Sequence, residues 1–382
     1  MSASLKLAAG GNSKLIIQKT QAMTKFTIQK NDISKISIHR EEMPALKAGE
    51  VLFGIKKYAI TANNLTYAVL GDKLRYWDFF PSHTETEGII PVWGFAEVLA
   101  SQHPQIALGE YCYGYFPMSA YLVVEAHKVT DFGFTDNAAH RKALSSVYNY
   151  YNRCTTDPSY RSDIEDFIPI LKPLFVTSFL NYYFLEDAHF HQAEQIILTS
   201  ASSKTGLGLA FMLKQHQAQA PKKILGLTSA ANLEFVKKTG YYTEVLPYEE
   251  LNQVALEDSL IVDFAGNAQH IKTLYAHLGA HLKYVSRVGL ADWKATKDFK
   301  EIPNAELFFA PAFAKEKYEV WGIAETNQKI AQYFFRFAEA MQSTLEIHYL
   351  TNTDAVKAVY AQMLSGTLPP NKGYIVKMAA AL

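Results

Sequence analysis

Ile196-Ile197-Leu198-Thr199-Ser200-Ala201-Ser202-Ser203-Lys204-Thr205-Gly206-Leu207-Gly208-Leu209-Ala210 is an apolar run, a turn of small polar residues, and a second apolar segment opened by two glycines. Such a stretch reads as a strand turning directly into a helix. The first turn of a helix leaves backbone N–H groups without partners and carries the positive end of the helix dipole, so it can hold a pyrophosphate. Ser202, Ser203, Lys204, Thr205, Gly206 and Gly208 are the candidate phosphate-binding residues. The strict G-x-G-x-x-G spacing is absent, so the turn alone is equally a plain strand-to-helix connection.

Its surroundings decide the fold class. From Leu171 onward strands alternate with helices, the pattern of a parallel sheet with crossover connections. The expected strands are 195–199, 223–228, 244–248, 259–264, 281–286 and 306–310, with helices at 207–217, 232–238 and 268–277. Six strands suit a doubly wound dinucleotide-binding (Rossmann) sheet, in which an acidic residue ending the second strand would bind the ribose 2′-hydroxyl. Here that position reads Thr228-Ser229-Ala230-Ala231-Asn232, with Thr228, Ser229 and Asn232 as neutral donors and Lys204, Lys237 and Lys238 nearby in sequence. A 2′-phosphate is tolerated rather than repelled there, which selects NADP(H), while Lys237 and Lys238 also fit a plain solvated helix face. Gly266 and Asn267 after the fourth strand, and Val288 and Gly289 after the fifth, fall at the carboxyl edge where such sheets bind ligands. Asp263 sits inside an apolar strand and is expected to serve the fold.

The chain has 382 residues, which favours two domains. Its first part, with strands expected at 25–29, 50–59, 92–100, 110–115 and 120–124, is β-rich, and Val51 to Tyr58 alternates with period two. An aromatic loop from Gly71 to Gly88 carries Tyr76, Trp77, Phe79 and Phe80, and a loop of that length is more often functional than idle. A Tyr-rich segment from about 132 to 166 reads as a helical insertion. After Pro311 come a helix at 326–342, a strand at 345–349, a helix at 353–365 and a strand at 373–377 that returns to the first domain. The expected units are therefore 1–165 with 343–382, and 166–342.

Four passages resemble the medium-chain dehydrogenase/reductase superfamily, in its zinc-free quinone or enoyl reductase-like branch. Gly49 to Ile55 with Ala62 to Tyr67 looks like the early strands and substrate-side loop; Ile90 to Val98 with Leu108 to Gly114 is similar to the barrel-like catalytic domain. The nucleotide turn with Leu260 to Gly266 resembles the cofactor domain, and Met363 to Val376 the terminal helix and strand. Within that superfamily the turn and Gly226 to Ala230 are most similar to an uncharacterised bacterial reductase-like family. The resemblance implies a GroES-like catalytic domain beside the Rossmann domain, and hydride transfer from NADPH to a quinone, enone or activated carbonyl. It places Asn64 and Tyr67 where relatives carry substrate-side polar residues, with Tyr76 and Tyr115 as further candidates. The turn, richer in Ser and Lys than the usual form, leaves a second reading: an NADPH-binding regulatory protein of the same fold without catalysis.

Cys112 and Cys154 are the only cysteines, so a four-cysteine zinc site is impossible, and His189-Phe190-His191 is a lone pair on a polar turn; no metal is expected. An unassisted reductase must polarise its acceptor through hydrogen bonds from groups such as Tyr or Asn. No G-x-S-x-G elbow suggests a hydrolase. Lys+Arg and Asp+Glu both number 37, so no cationic field exists to hold nucleic acid. Met1 to Lys14 has no signal-like apolar core, apolar windows are interrupted by charge before membrane-span length, and a cytoplasmic location is expected. The partner is a small-molecule substrate, with a homodimer through the edge near Phe308 and Phe309.

Overall fold

The computed structural model describes residues 23–288 and 302–378. Gly289 and the stretch Met1 to Lys14 lie outside them. The N-terminal part contains β1 (Met23–Gln29), β2 (Asp32–Glu41), β3 (Glu50–Ile60), α1 (Ala62–Val69), β4 (Glu87–Gly88), β5 (Pro91–Ser101), β6 (Tyr111–Pro117), β7 (Tyr121–Thr130), β8 (Gly133–Asp136) and β9 (Tyr150–Arg153). Strand β3 pairs with both β5 and β7, and the ring closes through β5, β6, β9, β8 and β7. A closed ring leaves no open edge, and its interior is filled by Val51, Phe53, Ile55, Phe116, Phe134 and Tyr151.

This arrangement corrects the reading of 132–166 as a helical insertion. The segment supplies β8 and β9, two staves without which the barrel would not close, joined by the loop at 137–149. Its organising element is Arg141, which is fully buried and paired with Asp136 at 2.9 Å. Part of the polar text read as a helical insertion is thus an internal ion pair.

Helix α2 (Phe167–Asp187) follows, and the sequence reading did not anticipate it. Ile168, Ile170, Leu171, Phe175 and Phe179 are buried on several of its faces, so no polar stripe shows. It is the one helix among the described residues long and apolar enough by length and composition to span a membrane, although Lys172 and Pro173 interrupt it and most of its apolar stretch is buried.

The parallel sheet then runs through β10 (Gln195–Leu198), α3 (Lys204–Gln215), β11 (Lys223–Thr228), α4 (Leu233–Thr239), β12 (Glu244–Pro247), β13 (Ser259–Asp263), α5 (Ala268–Leu278), β14 (Leu282–Arg287) and β15 (Ala305–Leu307). Its strand order is β12-β11-β10-β13-β14-β15, with every pairing parallel, which is the 3-2-1-4-5-6 order of a doubly wound sheet. All four residues of β10 are buried, as a central strand covered on both faces requires. Helices α6 (Ala310–Trp321) and α7 (Ile323–Met341) lead to β16 (Glu346–Leu350), α8 (Thr353–Leu364) and β17 (Lys372–Lys377). β17 pairs antiparallel with β3, which brings the C-terminal segment onto the barrel sheet. The protein is thus an α/β fold of a GroES-like barrel lobe and a Rossmann-like lobe.

Candidate functional site

The chain leaves β10 through Ser200, whose φ of 49° is left-handed, and enters α3 with Ser203 as its cap. Ser203 Oγ accepts from Gly206 N at 3.0 Å, a bond that satisfies one first-turn donor. Among the described residues the N–H groups of Lys204 and Thr205 have no hydrogen-bond partner, so two donors of the first turn stay free. Gly206 is needed where it stands, because a Cβ would lie 2.9 Å from the Ser200 carbonyl. At Gly208 a Cβ would lie 2.7 Å from Ser178 Oγ, and Ser178 itself donates to the Thr205 carbonyl at 2.7 Å. Those contacts bind α3 to α2 and fix the direction of the turn. Two tyrosines clamp it from the far side: Tyr248 Oη accepts from Ser200 N, and Tyr242 Oη donates to the Ala201 carbonyl.

Three residues from separate parts of the sequence meet beside the turn. Ser202 Oγ accepts from Thr228 Oγ1 at 3.3 Å and from Asn232 Nδ2 at 3.2 Å. Ser229 precedes the short turn that carries Asn232. Beyond them opens a cavity of ≈ 530 Å³, lined by Asn232, Phe235 and Lys238 from the parallel-sheet lobe and by Ser343, Thr344 and Asn371 from the chain that returns to the barrel. None of its lining residues is acidic. Lys237 is exposed and paired with Glu234, whereas Lys238 faces the cavity, so the two adjacent lysines part in role. Ser343, Thr344 and Asn371 follow helices far along the chain, and no local pattern marks them.

Lys204 extends from the turn to the other lobe, where its Nζ donates to the Lys372 carbonyl at 3.1 Å. Burial pulls its ammonium down to about 8. Asp263 serves the fold, as its apolar setting suggests: one carboxylate oxygen accepts from Thr199 Oγ1, Ala265 N and Gly266 N. Asn267 is taken up by the cap of α5, accepting from Gln269 N and His270 N. Gly266, at φ 67°, makes the turn out of β13, and Val288 N donates to the Asp263 carbonyl.

On the barrel side the structure separates Asn64 from Tyr67. The Asn64 amide is held by the fold at 4% exposure, with Oδ1 accepting from Thr61 N at 2.7 Å and Nδ2 donating one of its two N–H groups to the Pro91 carbonyl at 2.8 Å. Tyr67 Oη accepts from Asn63 Nδ2 at 2.7 Å and from Trp93 Nε1 at 3.1 Å, which leaves its own proton to donate. Burial raises Tyr67, so it stays a neutral phenol. Yet the ring is 3% exposed and sits behind Tyr76, 4.7 Å away between centroids. Tyr115 lies deeper still.

The half-buried rings in front are Tyr76 and Tyr148. With Phe79, Leu144, Phe309 and Pro311 they line a cavity of ≈ 190 Å³ where the aromatic loop, the 132–166 segment and the chain after β15 converge. Burial raises Tyr76 and Tyr148 too, so both remain hydrogen-bond donors at neutral pH. Tyr148 hides in a run of tyrosines, and only the closing of the barrel by β9 brings it here.

Among the described residues no group of three or more His, Cys, Asp or Glu could hold a metal ion. A dinucleotide, in contrast, fits what is present: free N–H groups at the head of α3, a large cavity without carboxylates beside Asn232, and a second cavity further along the same edge.

Solved structures share this architecture at low sequence identity. The CurK enoyl reductase superposes with a TM-score of 0.55 at 14% identity, covering 94% of this chain and 100% of its own. CurA from Vibrio vulnificus, in complex with NADPH, gives 0.61 at 10% identity over 93% and 99%. Staphylococcus aureus TarJ, also with NADPH, gives 0.55 at 9% identity over 93% and 99%. Likeness at that identity is likeness of fold. No curated protein matches the sequence. The sequence itself places the chain: residues 58–369 match the family described as Protein of unknown function (DUF2855), and the chain belongs to that family.

Proposed function

We propose that the protein is an NADPH-dependent reductase that delivers hydride to a quinone, an enone or another activated carbonyl, with no metal at its site. The observation that carries this reading is the pair of cavities on either side of the phosphate turn along the sheet's carboxyl edge. One opens at Asn232 beyond β11, the other at Phe309 and Pro311 beyond β15. Four strand spacings, about 19 Å, separate those strands, with the phosphate turn between them at the point where strand order reverses. Bound along that edge, NADPH supplies a hydride from its nicotinamide ring. The NADPH complexes of CurA and TarJ support the choice of cofactor.

The remaining tasks fall to the chain. The free N–H groups of Lys204 and Thr205, with the Lys204 ammonium, hold the pyrophosphate. Lys238 and Asn232 receive the ribose 2′-phosphate, which no lining carboxylate repels. Ser229, Gly266 and Val288 line the path between. Tyr76 and Tyr148 exclude water and donate hydrogen bonds to the acceptor oxygen, where negative charge grows during reduction. Tyr67 supports Tyr76 from behind and holds a third donor in reserve. Edge strand β15, with exposed Leu307, is the surface proposed for a homodimer.

The test is steady-state oxidation of NADPH by the purified full chain against quinones, enones and aromatic aldehydes. Turnover with one of these classes, reduced at least tenfold in a Tyr76→Phe, Tyr148→Phe double variant, is expected. A second reading rests on the bond from Lys204 to the Lys372 carbonyl, which ties the two lobes at the very turn a nucleotide would occupy. NADPH bound without turnover across the panel would favour that reading, a nucleotide-responsive regulatory protein.

A further inference from the structure

The cavity beyond β15 has a size and a wall geometry that select its occupant. Tyr76 and Phe79 present rings inclined by only 30° to each other, 6.5 Å apart between centroids. Tyr148 stands across both, at 78° to Tyr76 and 75° to Phe79. A flat ring lying along Tyr76 and Phe79 would stack on their faces and take the edge of Tyr148, the two arrangements aromatic pairs prefer. Leu144, Phe309 and Pro311 close the remaining sides without charge. Among the described lining residues the one charged side chain is Arg75, which is exposed and paired with Asp78 at 2.7 Å.

Volume sets the limit. An apolar cavity of about 150 Å³ accommodates benzene. At ≈ 190 Å³ this one matches a six-membered ring with one small substituent, and a second fused ring would have to extend beyond the aromatic walls.

The walls are also held against expansion. The Arg141 guanidinium lies 5.4 Å from the Phe79 ring centroid and 5.0 Å from that of Phe80, while its Nη2 donates to the Tyr148 carbonyl at 2.6 Å. One buried cation therefore locks the aromatic loop to the segment that carries Tyr148. Opening the wall means pulling Phe79 and Phe80 away from a guanidinium that its buried pairing with Asp136 holds in place.

We infer that this cavity is the acceptor site and that its ligand is an uncharged, monocyclic, planar conjugated carbonyl compound. The name "acceptor" rests on the reductase reading; the ring-size selection does not, because it follows from the cavity alone.

The experiment is therefore a binding measurement made without dinucleotide. Acetophenone and 2-acetylnaphthalene are titrated separately into the purified full chain, followed by calorimetry, and each sample is titrated with NADPH in parallel. Acetophenone should saturate, with 2-acetylnaphthalene at least tenfold weaker. Leu144→Trp, which fills the cavity, should weaken acetophenone at least tenfold and leave NADPH unchanged. Ala143→Trp does the same from an exposed position, should Leu144→Trp fail to fold. Tyr148→Ala, which enlarges the cavity, should bring 2-acetylnaphthalene to within threefold of acetophenone. Equal binding of the two ketones by the unaltered protein, acetophenone binding indifferent to both tryptophans, or no ketone binding would overturn the inference. Ketone binding without NADPH binding would leave the cavity standing and remove the reductase reading; NADPH binding without ketone binding would do the reverse.

Discussion

Replacing Arg141 with Met removes a cation that is 0% exposed. The guanidinium makes four hydrogen bonds: Nη1 to Asp136 Oδ2 and to Tyr151 Oη, each at 2.9 Å, Nε to Asn149 Oδ1 at 2.9 Å, and Nη2 to the Tyr148 carbonyl at 2.6 Å. Without it, the Asp136 carboxylate keeps only the N–H groups of Glu125 and Ala138, and its side chain is 1% exposed. Removing one partner of a buried pair costs about 3–5 kcal/mol, because the other charge stays buried without compensation. The desolvated Asn149 and Tyr148 oxygens are part of that cost rather than additions to it. Replacing both partners, in Arg141→Met with Asp136→Leu, should recover most of the loss, since apolar replacement of a buried pair is often neutral. Urea unfolding followed by tryptophan fluorescence measures both, with Trp77 and Trp93 reporting the barrel lobe. The midpoint should fall sharply for the single variant and return toward the original for the double. A single variant losing less than about 1 kcal/mol, the level of an exposed pair, would refute the reasoning. So would losses in the two single variants that simply add in the double.

Asn232→Asp places a carboxylate at the rim of the large cavity and should weaken NADPH at least tenfold, about 1.4 kcal/mol, with NADH little affected; parallel titrations measure the ratio. Lys204 carries its charge below about 8 and loses it above, so NADPH affinity should fall as pH rises through that value, and Lys204→Gln should flatten the profile. Gly226→Ala drives a Cβ to within 2.8 Å of the Tyr242 ring and 3.0 Å of Ala201 Cβ, behind the phosphate turn. It should lower stability by roughly 1–3 kcal/mol, read by thermal melting.

The parallel sheet was legible because its physics is local. Runs such as Gln195–Leu198 and Ser259–Asp263 are wholly buried, and a strand covered on both faces must be apolar throughout. Ser202, Thr228 and Asn232, chosen from two separate turns, meet within hydrogen-bonding distance for the same reason: topology puts the ends of β10 and β11 side by side. What the sequence concealed depends on contacts distant in the chain. The tyrosines at 148, 150 and 151 look alike, yet Tyr151 fills the barrel, Tyr148 faces the cavity, and Tyr150 packs near the surface at Gly133. Arg141 reads as a surface charge until Asp136 is placed beside it. Asn64 has the residue type of a substrate ligand, but its spacing from Thr61 makes it a capping box. Lys237 and Lys238 are indistinguishable as neighbours, and only the direction of α4 assigns one to the cavity.

The central claim is that the carboxyl edge of the parallel sheet holds NADPH. Titrating the purified full chain with NADPH and with NADH, following nicotinamide fluorescence, tests it most directly. The account predicts saturable micromolar binding of NADPH, with NADH at least tenfold weaker; no saturable response to either nucleotide would contradict it.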